Sequence, residues 1–386
     1  MGLSKTEYNN LKLFRSTGVG PVIYKKLIGQ YGSAENALKE FDNLNKTYKK
    51  NLKVVSDRVL EREIKMLEKL GGQFLFKEDE NFPTALKFIH DCPPVLSVLG
   101  NVEALGQEQV AIVGNRNASA PSIKFTKAIA GALVGEGYVV TSGLARGIDS
   151  AAHQGTLDAG GITIAVVAGG LDHIYPPENA GLYADIIQKN GAIVSEMPLG
   201  MAPTQNHFPR RNRIVSGLSL GVAVIEAAKK SGSLITARLA AEQGREVFAM
   251  PGSPADIRSS GPNYLIQNGA TMLQTIDDIV DNLPKSLTGY VESMQGVMSF
   301  DDDHSDCEPC QPVSVKKGVG TATSSPAMEG GITPESMLLD LLSSTPVTVD
   351  ELIRMSGLEE RQVMSSVADM DLMGLVTRQN GGLIKN

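Results

Sequence analysis

The chain has 386 residues, of which 42% are hydrophobic and 20% are charged, and its formal net charge at pH 7 is −7. This length predicts two or three domains of a soluble globular protein with an ample core. No apolar run approaches the roughly 20 residues that span a bilayer, and the N-terminus lacks an apolar signal region, so we expect a cytoplasmic protein without membrane contact. The net negative charge excludes a protein that binds nucleic acid over its whole surface, but it allows a local basic patch.

The first part of the chain predicts a helical domain at residues 1–70. Two apolar-periodic runs between Leu11 and Leu38 flank the segment Thr17-Gly18-Val19-Gly20-Pro21. A Gly-hydrophobic-Gly turn between helices is typical of a helix-hairpin-helix, as in the DNA-binding or SAM-like helical domains, and its backbone N–H groups can contact a phosphate. An ordinary helical hairpin in a small bundle is the alternative.

The central part, residues 71–284, alternates short apolar runs with helical patterns. Strands are predicted at Gln73–Lys77, Val95–Leu99, Gln109–Val113, Tyr138–Ser142, Thr163–Ala168, Ala192–Glu196, Val222–Ala227, Glu246–Met250 and Thr271–Gln274. Helices are predicted between them, for example at Ser122–Gly135 and Ala145–Ala159. This alternation from Gln109 onward predicts an α/β fold with an extended, Rossmann-like, doubly wound parallel sheet. In such sheets, ligands bind outside the carboxyl ends of the strands.

The composition shifts after Leu283. Residues 285–331 contain Asp301-Asp302-Asp303 and a run rich in Ser, Thr, Gly and Pro, which predicts a flexible linker. A compact pattern returns at residues 332–386. Helices at Glu335–Ser343, Val349–Ser356 and Glu359–Met373, followed by a hairpin at Asn380-Gly381-Gly382, predict a winged helix.

A basic segment runs from His207 to Arg245. It contains seven Lys and Arg residues and two Glu residues, so its net charge is +5, whereas the rest of the chain carries −12. The cations concentrate where two predicted helices begin beside strand ends. Free N–H groups at helix N-termini together with clustered arginines bind anions, and repeated phosphates in particular.

The local geometry of this segment follows from helix periodicity. Pro209 suits the first turn of a helix, which would place Arg210 and Arg213 on one face and Arg211 about 100° round. Ser233 is expected to cap the second helix, and Gly232 to let another backbone approach closely.

Common catalytic and cofactor motifs are missing from the sequence. It has no G-x-G-x-x-G after the first strong strand, no Gly-Lys pair of a P-loop and no His-Glu-x-x-His. Cys307 and Cys310 form a C-x-x-C without the second pair of a zinc site. We therefore expect no metal, no cofactor and no catalytic residue, and a binding protein rather than an enzyme.

Three carboxylates leave an enzymatic alternative open. Asp149, Glu196 and Glu226 follow predicted strands or begin a helix, so they could form a cluster for nucleoside chemistry. The favoured interpretation is that they cap helices or orient the arginines. His153, on a predicted helix, is interpreted as structural. The alternative function is a nucleotide or nucleoside-monophosphate hydrolase on a similar fold.

Five motifs resemble the DNA-processing protein A (DprA/Smf) family in order and spacing. They are Ala111-Ile-Val-Gly-Asn-Arg-Asn-Ala-Ser119, Ser142-Gly-Leu-Ala-Arg-Gly-Ile-Asp-Ser-Ala-Ala-His153, Tyr175-Pro-Pro-Glu-Asn179, Phe208-Pro-Arg-Arg-Asn-Arg213 and Ser231-Gly-Ser-Leu-Ile-Thr-Ala237. The resemblance covers roughly residues 72–285. Asn115 departs from it, since that position is more often Ser or Thr in the family.

The resemblance implies a recombination mediator of natural transformation and competence. Such proteins bind incoming single-stranded DNA without sequence preference, protect it and help to load the recombinase RecA, and their extended Rossmann-like domain forms a dimer. By motif, it places DNA-contacting positions on Gly114, Arg116, Arg210, Arg211, Asn212, Arg213, Lys230, Gly232 and Ser233. The chain has few aromatic residues, but Phe208 or Leu234 could offer an apolar surface to a base.

Overall fold

The structure, a computed structural model, describes residues 2–41, 52–229 and 231–284. In the C-terminal part it describes residues 338, 342, 347–356, 358, 360–372, 375–379 and 382–385. The chain divides into two compact units, Met1–Ser299 and Phe300–Asn386. The predicted linker, residues 285–331, lies outside the described residues, as does most of the predicted helix Glu335–Ser343. Among the described residues, no helix has both the length and the apolar character needed to cross a membrane.

The N-terminal part is helical, as the sequence predicts. Its helices are α1 (Lys5–Arg15), α2 (Pro21–Tyr31), α3 (Ala34–Lys39) and α4 (Asp57–Lys69). A capping box begins α1, because the Ser4 side chain accepts a hydrogen bond from the Glu7 amide and Glu7 bonds back to Ser4. The predicted turn joins α1 to α2, and Gly18 takes a φ of 83° there. This positive φ favours glycine, and a Cβ there would also lie 2.6 Å from Leu52 Cδ2.

A nine-stranded mixed sheet forms the centre of the first unit. Its strands are β1 (Gln73–Phe76), β2 (Val95–Gly100), β3 (Gln109–Val113), β4 (Val139–Ser142), β5 (Thr163–Val166), β6 (Ala192–Ser195), β7 (Gly221–Val224), β8 (Glu246–Ala249) and β9 (Thr271–Met272). Their order is β1-β2-β6-β5-β4-β3-β7-β8-β9. The strands from β6 to β9 in this order pair in parallel, whereas β2 pairs antiparallel with β6, and β1 with β2. The predicted parallel core is therefore confirmed, and β1 and β2 extend it at one edge.

Helices cover both faces of this sheet. They are α5 (Thr84–Lys87), α6 (Ala120–Gly135), α7 (Ile148–Asp158), α8 (Ala180–Gln188), α9 (His207–Leu218), α10 (Gly232–Glu242), α11 (Ser260–Gln267) and α12 (Asp277–Val280). Successive side chains of β3 point to opposite faces of the sheet and pack against different helices. Val113 belongs to the same buried cluster as Ile214 of α9, whereas Ile112 belongs to the cluster that contains Ile129 of α6. Both sheet faces are thus buried, which explains the continuous apolar runs of the strands.

The second unit contains the described part of the winged helix. Its elements are α13 (Val349–Ser356), α14 (Glu360–Leu372), β10 (Val376–Gln379) and β11 (Gly382–Lys385). The two strands pair antiparallel, and Val347 bridges to Leu383 beside them. A separate buried cluster that includes Leu352 and Val363 holds these elements together.

Candidate nucleic-acid interface

The sheet order reverses direction at β3. From β3 the chain proceeds through β4 and β5 to β6 on one side, and then returns to place β7 on the other side. Such a switch point creates a crevice at the carboxyl ends of the two strands, where ligands of doubly wound sheets bind. The segment that follows β3 begins at Gly114, and α10 begins at Gly232 shortly after β7. The Gly114 turn and the start of α10, which belongs to the basic segment, therefore lie at the expected ligand edge.

Two glycines bring the backbone segments of this crevice together. A Cβ on Gly114 would lie 2.6 Å from Ile148 Cγ1. Gly147 has a φ of 72°, and a Cβ there would clash with the carbonyl oxygens of Asn115 and Arg116. The Ile148 amide donates a hydrogen bond to the Asn115 carbonyl over 3.2 Å. The Arg116 turn is therefore packed directly against the start of α7.

An exposed arginine and two aromatic rings lie together at the crevice. The Arg116 guanidinium lies over the Phe208 ring, 5.1 Å from its centroid. The Tyr175 ring packs beside Phe208, with 5.8 Å between the centroids and 58° between the planes. Tyr175 is 47% exposed. Three separate segments thus build one surface, which we call the Arg116–Phe208–Tyr175 platform, and it offers both a positive charge and aromatic faces.

Helix α9 also exposes Arg210, two residues after Phe208. Arg210 has no hydrogen bond or ion pair to any residue that the structure describes. Asn212, two residues further on, donates from Nδ2 to the Gly232 carbonyl over 3.4 Å and so joins α9 to α10. A Cβ on Gly232 would meet nothing within 4 Å, so this glycine leaves open space. Space of this kind lets a ligand approach the N-terminus of α10.

The cap of α10 differs from the prediction. Ser233 is the predicted cap, but the helix begins at Gly232, and the Ser231 side chain accepts a hydrogen bond from the Ser233 amide. The Ser233 hydroxyl donates instead to the Gly114 carbonyl over 2.7 Å. The prediction was wrong by two residues because either serine matches the sequence signal for a cap. Ser233 therefore connects α10 to the turn that carries Arg116.

Arg211 is buried and 7% exposed, unlike its neighbour Arg210. Its Nη1 donates to the Val166 carbonyl over 3.0 Å. Nearby, Asp149 accepts from the Gly143 amide over 3.1 Å. Burial raises the pKa of Asp149, and the positive charge of Arg211 acts in the opposite direction. Arg211 and Asp149 are therefore both buried and close enough for their charges to interact.

Arg213 is also buried, with 5% exposure. It forms an ion pair with Glu196 through Nη2, and its Nη1 donates to the Asp91 carbonyl over 2.7 Å. The network extends to the N-terminal helices, because Arg15 donates to the Glu196 carbonyl over 2.9 Å and pairs with Glu63 over 2.9 Å. The structure thus places Arg213 in a charged network that joins α9 to α1 and α4.

The four arginines do not share one exposed surface. Arg116 and Arg210 are exposed, whereas Arg211 and Arg213 point into the protein. All four are among the positions predicted to contact DNA, and a role of the buried pair in DNA binding stays a prediction. Lys230 lies outside the described residues, although its neighbour Lys229 is exposed.

Glu226, the third of the three carboxylates, caps a helix, as the favoured interpretation of these carboxylates predicts. Glu226 accepts hydrogen bonds from the Ser119 amide, the Ser119 hydroxyl and the Ser122 hydroxyl over 3.0, 2.7 and 2.8 Å. It therefore stabilises the N-terminus of α6. Within residues 2–41, 52–229, 231–284 and the described C-terminal segments, no group of His, Cys, Asp and Glu is arranged to hold a metal ion.

His153 is confirmed as a buried structural residue. Its Nδ1 lies 2.7 Å from the Thr163 hydroxyl, which itself donates to the Val140 carbonyl over 2.6 Å. With the hydroxyl proton used in that way, Nδ1 carries the hydrogen that bonds to Thr163. Burial lowers the pKa of His153 from 6.5 to about 3, and Arg211 adds to the effect.

Acidification should therefore destabilise the protein through His153. The folded pKa lies below the unfolded one, so the stabilisation is complete above about pH 6.5 and is lost as the pH falls toward 3. Between pH 7 and pH 5, we expect His153 to account for a loss of about 2 kcal/mol in the free energy of unfolding. Urea unfolding of wild type and His153→Gln at both pH values measures the difference. An equal pH dependence of both proteins would contradict the prediction.

The fold and the crevice define a Rossmann-like α/β protein with an exposed arginine–aromatic surface at its switch point. A family model described as DNA recombination-mediator protein A matches residues 73–284. A model of the DprA-like N-terminal HHH domain matches residues 4–65, and one of the DprA winged helix domain matches residues 322–382. The chain belongs to the DNA recombination-mediator protein A (DprA/Smf) family.

Individual relatives agree with this assignment. Protein Smf of Escherichia coli (strain K12) is 35% identical over 326 residues, which cover 84% of this chain and 80% of the relative. DNA processing protein DprA of Bacillus subtilis (strain 168) is 45% identical over 214 residues, 55% of this chain and 72% of the relative. The X-ray structure of DNA processing protein A from Streptococcus pneumoniae matches with a TM-score of 0.62 and 32% identity, over 74% of this chain and all of that chain.

Proposed function

We propose that this protein binds single-stranded DNA as a recombination mediator of natural transformation. In this role it protects incoming single strands in the cytoplasm, acts as a homodimer and helps to load RecA. The RecA, dimer and transformation parts of the proposal derive from the family membership. The domain limits 1–70, 71–284, 285–331 and 332–386 are part of the same proposal.

The observation that supports single-strand binding is the Arg116–Phe208–Tyr175 platform. Phosphates attract the guanidinium groups of Arg116 and the exposed Arg210, and a phosphate carries no sequence information. The aromatic faces of Phe208 and Tyr175 suit unstacked bases, which only a single strand offers freely. The open space at Gly232 leaves room for a phosphate at the N-terminus of α10, where the helix dipole favours an anion. The combination favours binding to any single strand in preference to a duplex.

We further propose that the protein is not a hydrolase. A hydrolase on this fold needs a carboxylate that is free to activate water. Asp149 and Glu226 are engaged with amides and hydroxyl groups, and Glu196 pairs with Arg213. Carboxylates with these hydrogen bonds and this ion pair hold helices and arginines in position.

The test compares binding of a labelled single strand with a duplex of the same length and with a single strand that contains abasic sites. The wild type is expected to prefer the intact single strand to the duplex. Removal of the bases keeps the phosphates, so it isolates stacking, which contributes about 1–3 kcal/mol per base. Phe208→Ala should reduce the difference between the intact and the abasic strands.

A matched control is Tyr264→Ala, which removes an exposed aromatic side chain on α11. It should leave both affinities unchanged. Equal affinity of the wild type for single strand and duplex would reject the proposal. Release of base or phosphate from nucleotides that disappears in Glu226→Gln would favour the hydrolase instead.

A further inference from the structure

Helix α4 carries a row of four basic side chains: Arg58, Arg62, Lys65 and Lys69. Their spacings of four, three and four residues place them within about 60° of arc at 100° per residue. All four are exposed. They lie opposite the helix face that packs into the protein through Leu60, Glu63 and Leu67. We call these four residues the α4 basic stripe.

The sequence alone hides this stripe, because α4 contains four acidic residues that make its formal charge zero. The structure pairs two of the four acids with groups outside α4. Asp57 accepts hydrogen bonds from Lys12 Nζ over 2.6 Å and from the Tyr8 hydroxyl over 2.7 Å. Glu63 is buried and pairs with Arg15.

The other two acids, Glu61 and Glu68, lie to one side of the stripe by the same helix geometry. No ion pair or hydrogen bond neutralises a stripe side chain within the part of the chain that the structure describes. Four unneutralised cations against two acids leave this face of α4 with a surplus of +2.

The helix is held firmly on the same unit as the crevice. Leu67 packs in a buried cluster with Leu144, which follows β4, and with Leu171. The Glu63–Arg15 pair continues to the Glu196 carbonyl at the end of β6. The stripe is therefore carried on a firmly packed helix, and its binding to a ligand needs no ordering of the backbone.

The dimensions of the stripe fit a polymer rather than a small anion. Arg58 and Lys69 are separated by 11 residues, or about 17 Å along the helix axis. This distance corresponds to about five base pairs of duplex at 3.4 Å per step on each strand. The stripe contains no aromatic side chain on which an unpaired base could stack. A rigid row of charges without a stacking group suits the regular phosphates of a duplex.

We propose that the α4 basic stripe is a second DNA-binding surface that contacts the phosphate backbone of double-stranded DNA. It differs in ligand from the single-strand site, and it does not depend on the proposed function of that site. Contacts of this kind are independent of sequence and sensitive to salt. One molecule can then hold a single strand at the crevice and a duplex at α4.

The test is a triple variant, Arg62→Gln, Lys65→Gln and Lys69→Gln, of the full chain. These side chains are exposed and unpaired, so folding is preserved. Binding of a labelled blunt duplex and of a single strand of the same length is measured over a range of salt concentrations. For the duplex, we expect at least about a tenfold loss of affinity and a decrease in the salt slope of about 2.7, or 0.9 for each lost phosphate contact. The single-strand affinity should change by less than about twofold.

The matched control removes the same charge elsewhere through Lys39→Gln, Lys127→Gln and Lys189→Gln, three exposed residues outside the stripe. It should bind the duplex like the wild type. Unchanged duplex binding in the stripe variant, or an equal loss in the control, overturns the proposal. A loss confined to the single strand also overturns it.

Two further outcomes separate the alternatives. The stripe can bind a polyglutamate peptide more strongly than the duplex at the same salt concentration. This result would assign the stripe to an acidic protein partner and overturn the proposal. The wild type can also fail to bind the single strand while the stripe variant still loses duplex affinity. This result would reject the proposed function of the crevice and support the α4 basic stripe as a duplex-binding surface.

Discussion

Replacement of Arg213 by methionine is expected to lower the free energy of unfolding by about 3–5 kcal/mol. Arg213 is 5% exposed and lies between Glu196 and Asp91. Methionine keeps much of the side-chain length but removes the charge, which leaves the buried Glu196 carboxylate without its cation. The uncompensated buried charge is the main source of the loss. Urea unfolding of the full chain, followed by far-UV circular dichroism, measures the change.

Arg210, on the same helix as Arg213, supplies the control. Arg210→Met removes an exposed arginine from the same helix and should change the stability by less than about 0.5 kcal/mol. The double variant Arg213→Met with Glu196→Met removes both members of the pair and should recover much of the loss, because no buried charge is left alone. Wild-type stability of Arg213→Met would show that the ion pair does not stabilise the fold.

This experiment also distinguishes two roles of Arg213. The family motif assigns it to DNA contact, whereas its surroundings indicate that it positions α9. If it only positions the helix, Arg213→Lys should restore part of the stability and keep the salt slope of single-strand binding. A direct phosphate contact would instead lower that slope by about 0.7 when the residue is changed to methionine.

Much of the fold could be predicted because its signals are local. The parallel strands are short apolar runs such as Gln109–Val113, which is both a predicted and an observed strand. The place of β1 and β2 in the sheet was not predictable in the same way. Their antiparallel pairing with β6 depends on register contacts such as Ser97 with Ser195, which are almost 100 residues apart in the sequence.

The orientation of the arginines in the candidate site could not be predicted from the local sequence. Helix periodicity gives the angles between Arg210, Arg211 and Arg213, but it does not say which of them enters the core. That choice depends on the Val166 carbonyl and on Glu196, which come from other strands. The whole arginine-rich motif Phe208–Arg213 was therefore assigned to DNA contact, although the fold buries two of its three arginines.

Two features were missed for a related reason. Tyr175 belongs to a motif that was recognised, but no local property of the sequence places its ring beside Phe208. The α4 basic stripe was hidden because a charge count treats buried and exposed residues alike. Only the pairing of Asp57 with Lys12 and of Glu63 with Arg15 shows which charges of α4 remain unpaired.

The strongest effect on DNA binding is expected from the double variant Arg116→Ala and Arg210→Ala. These are the exposed arginines of the crevice, and each can form charge-assisted hydrogen bonds with a phosphate. A hydrogen bond to a charged group contributes about 1.5–3 kcal/mol, so the double variant should bind single strands at least about 100-fold more weakly. Its salt slope should fall by about 1.4, or 0.7 for each phosphate contact. Fluorescence anisotropy over a salt series measures both quantities.

Two variants make this result specific. Arg238→Ala removes an exposed arginine on α10 that pairs with Glu242 over 3.4 Å, and it should bind like the wild type. Arg116→Lys keeps the charge but loses the planar fork that lies over Phe208. It should therefore retain the salt slope and lose part of the affinity. If the double alanine variant stays folded and binds single strands with wild-type affinity and salt slope, the crevice is not the DNA-binding site, since its exposed cations are then not in contact with phosphates.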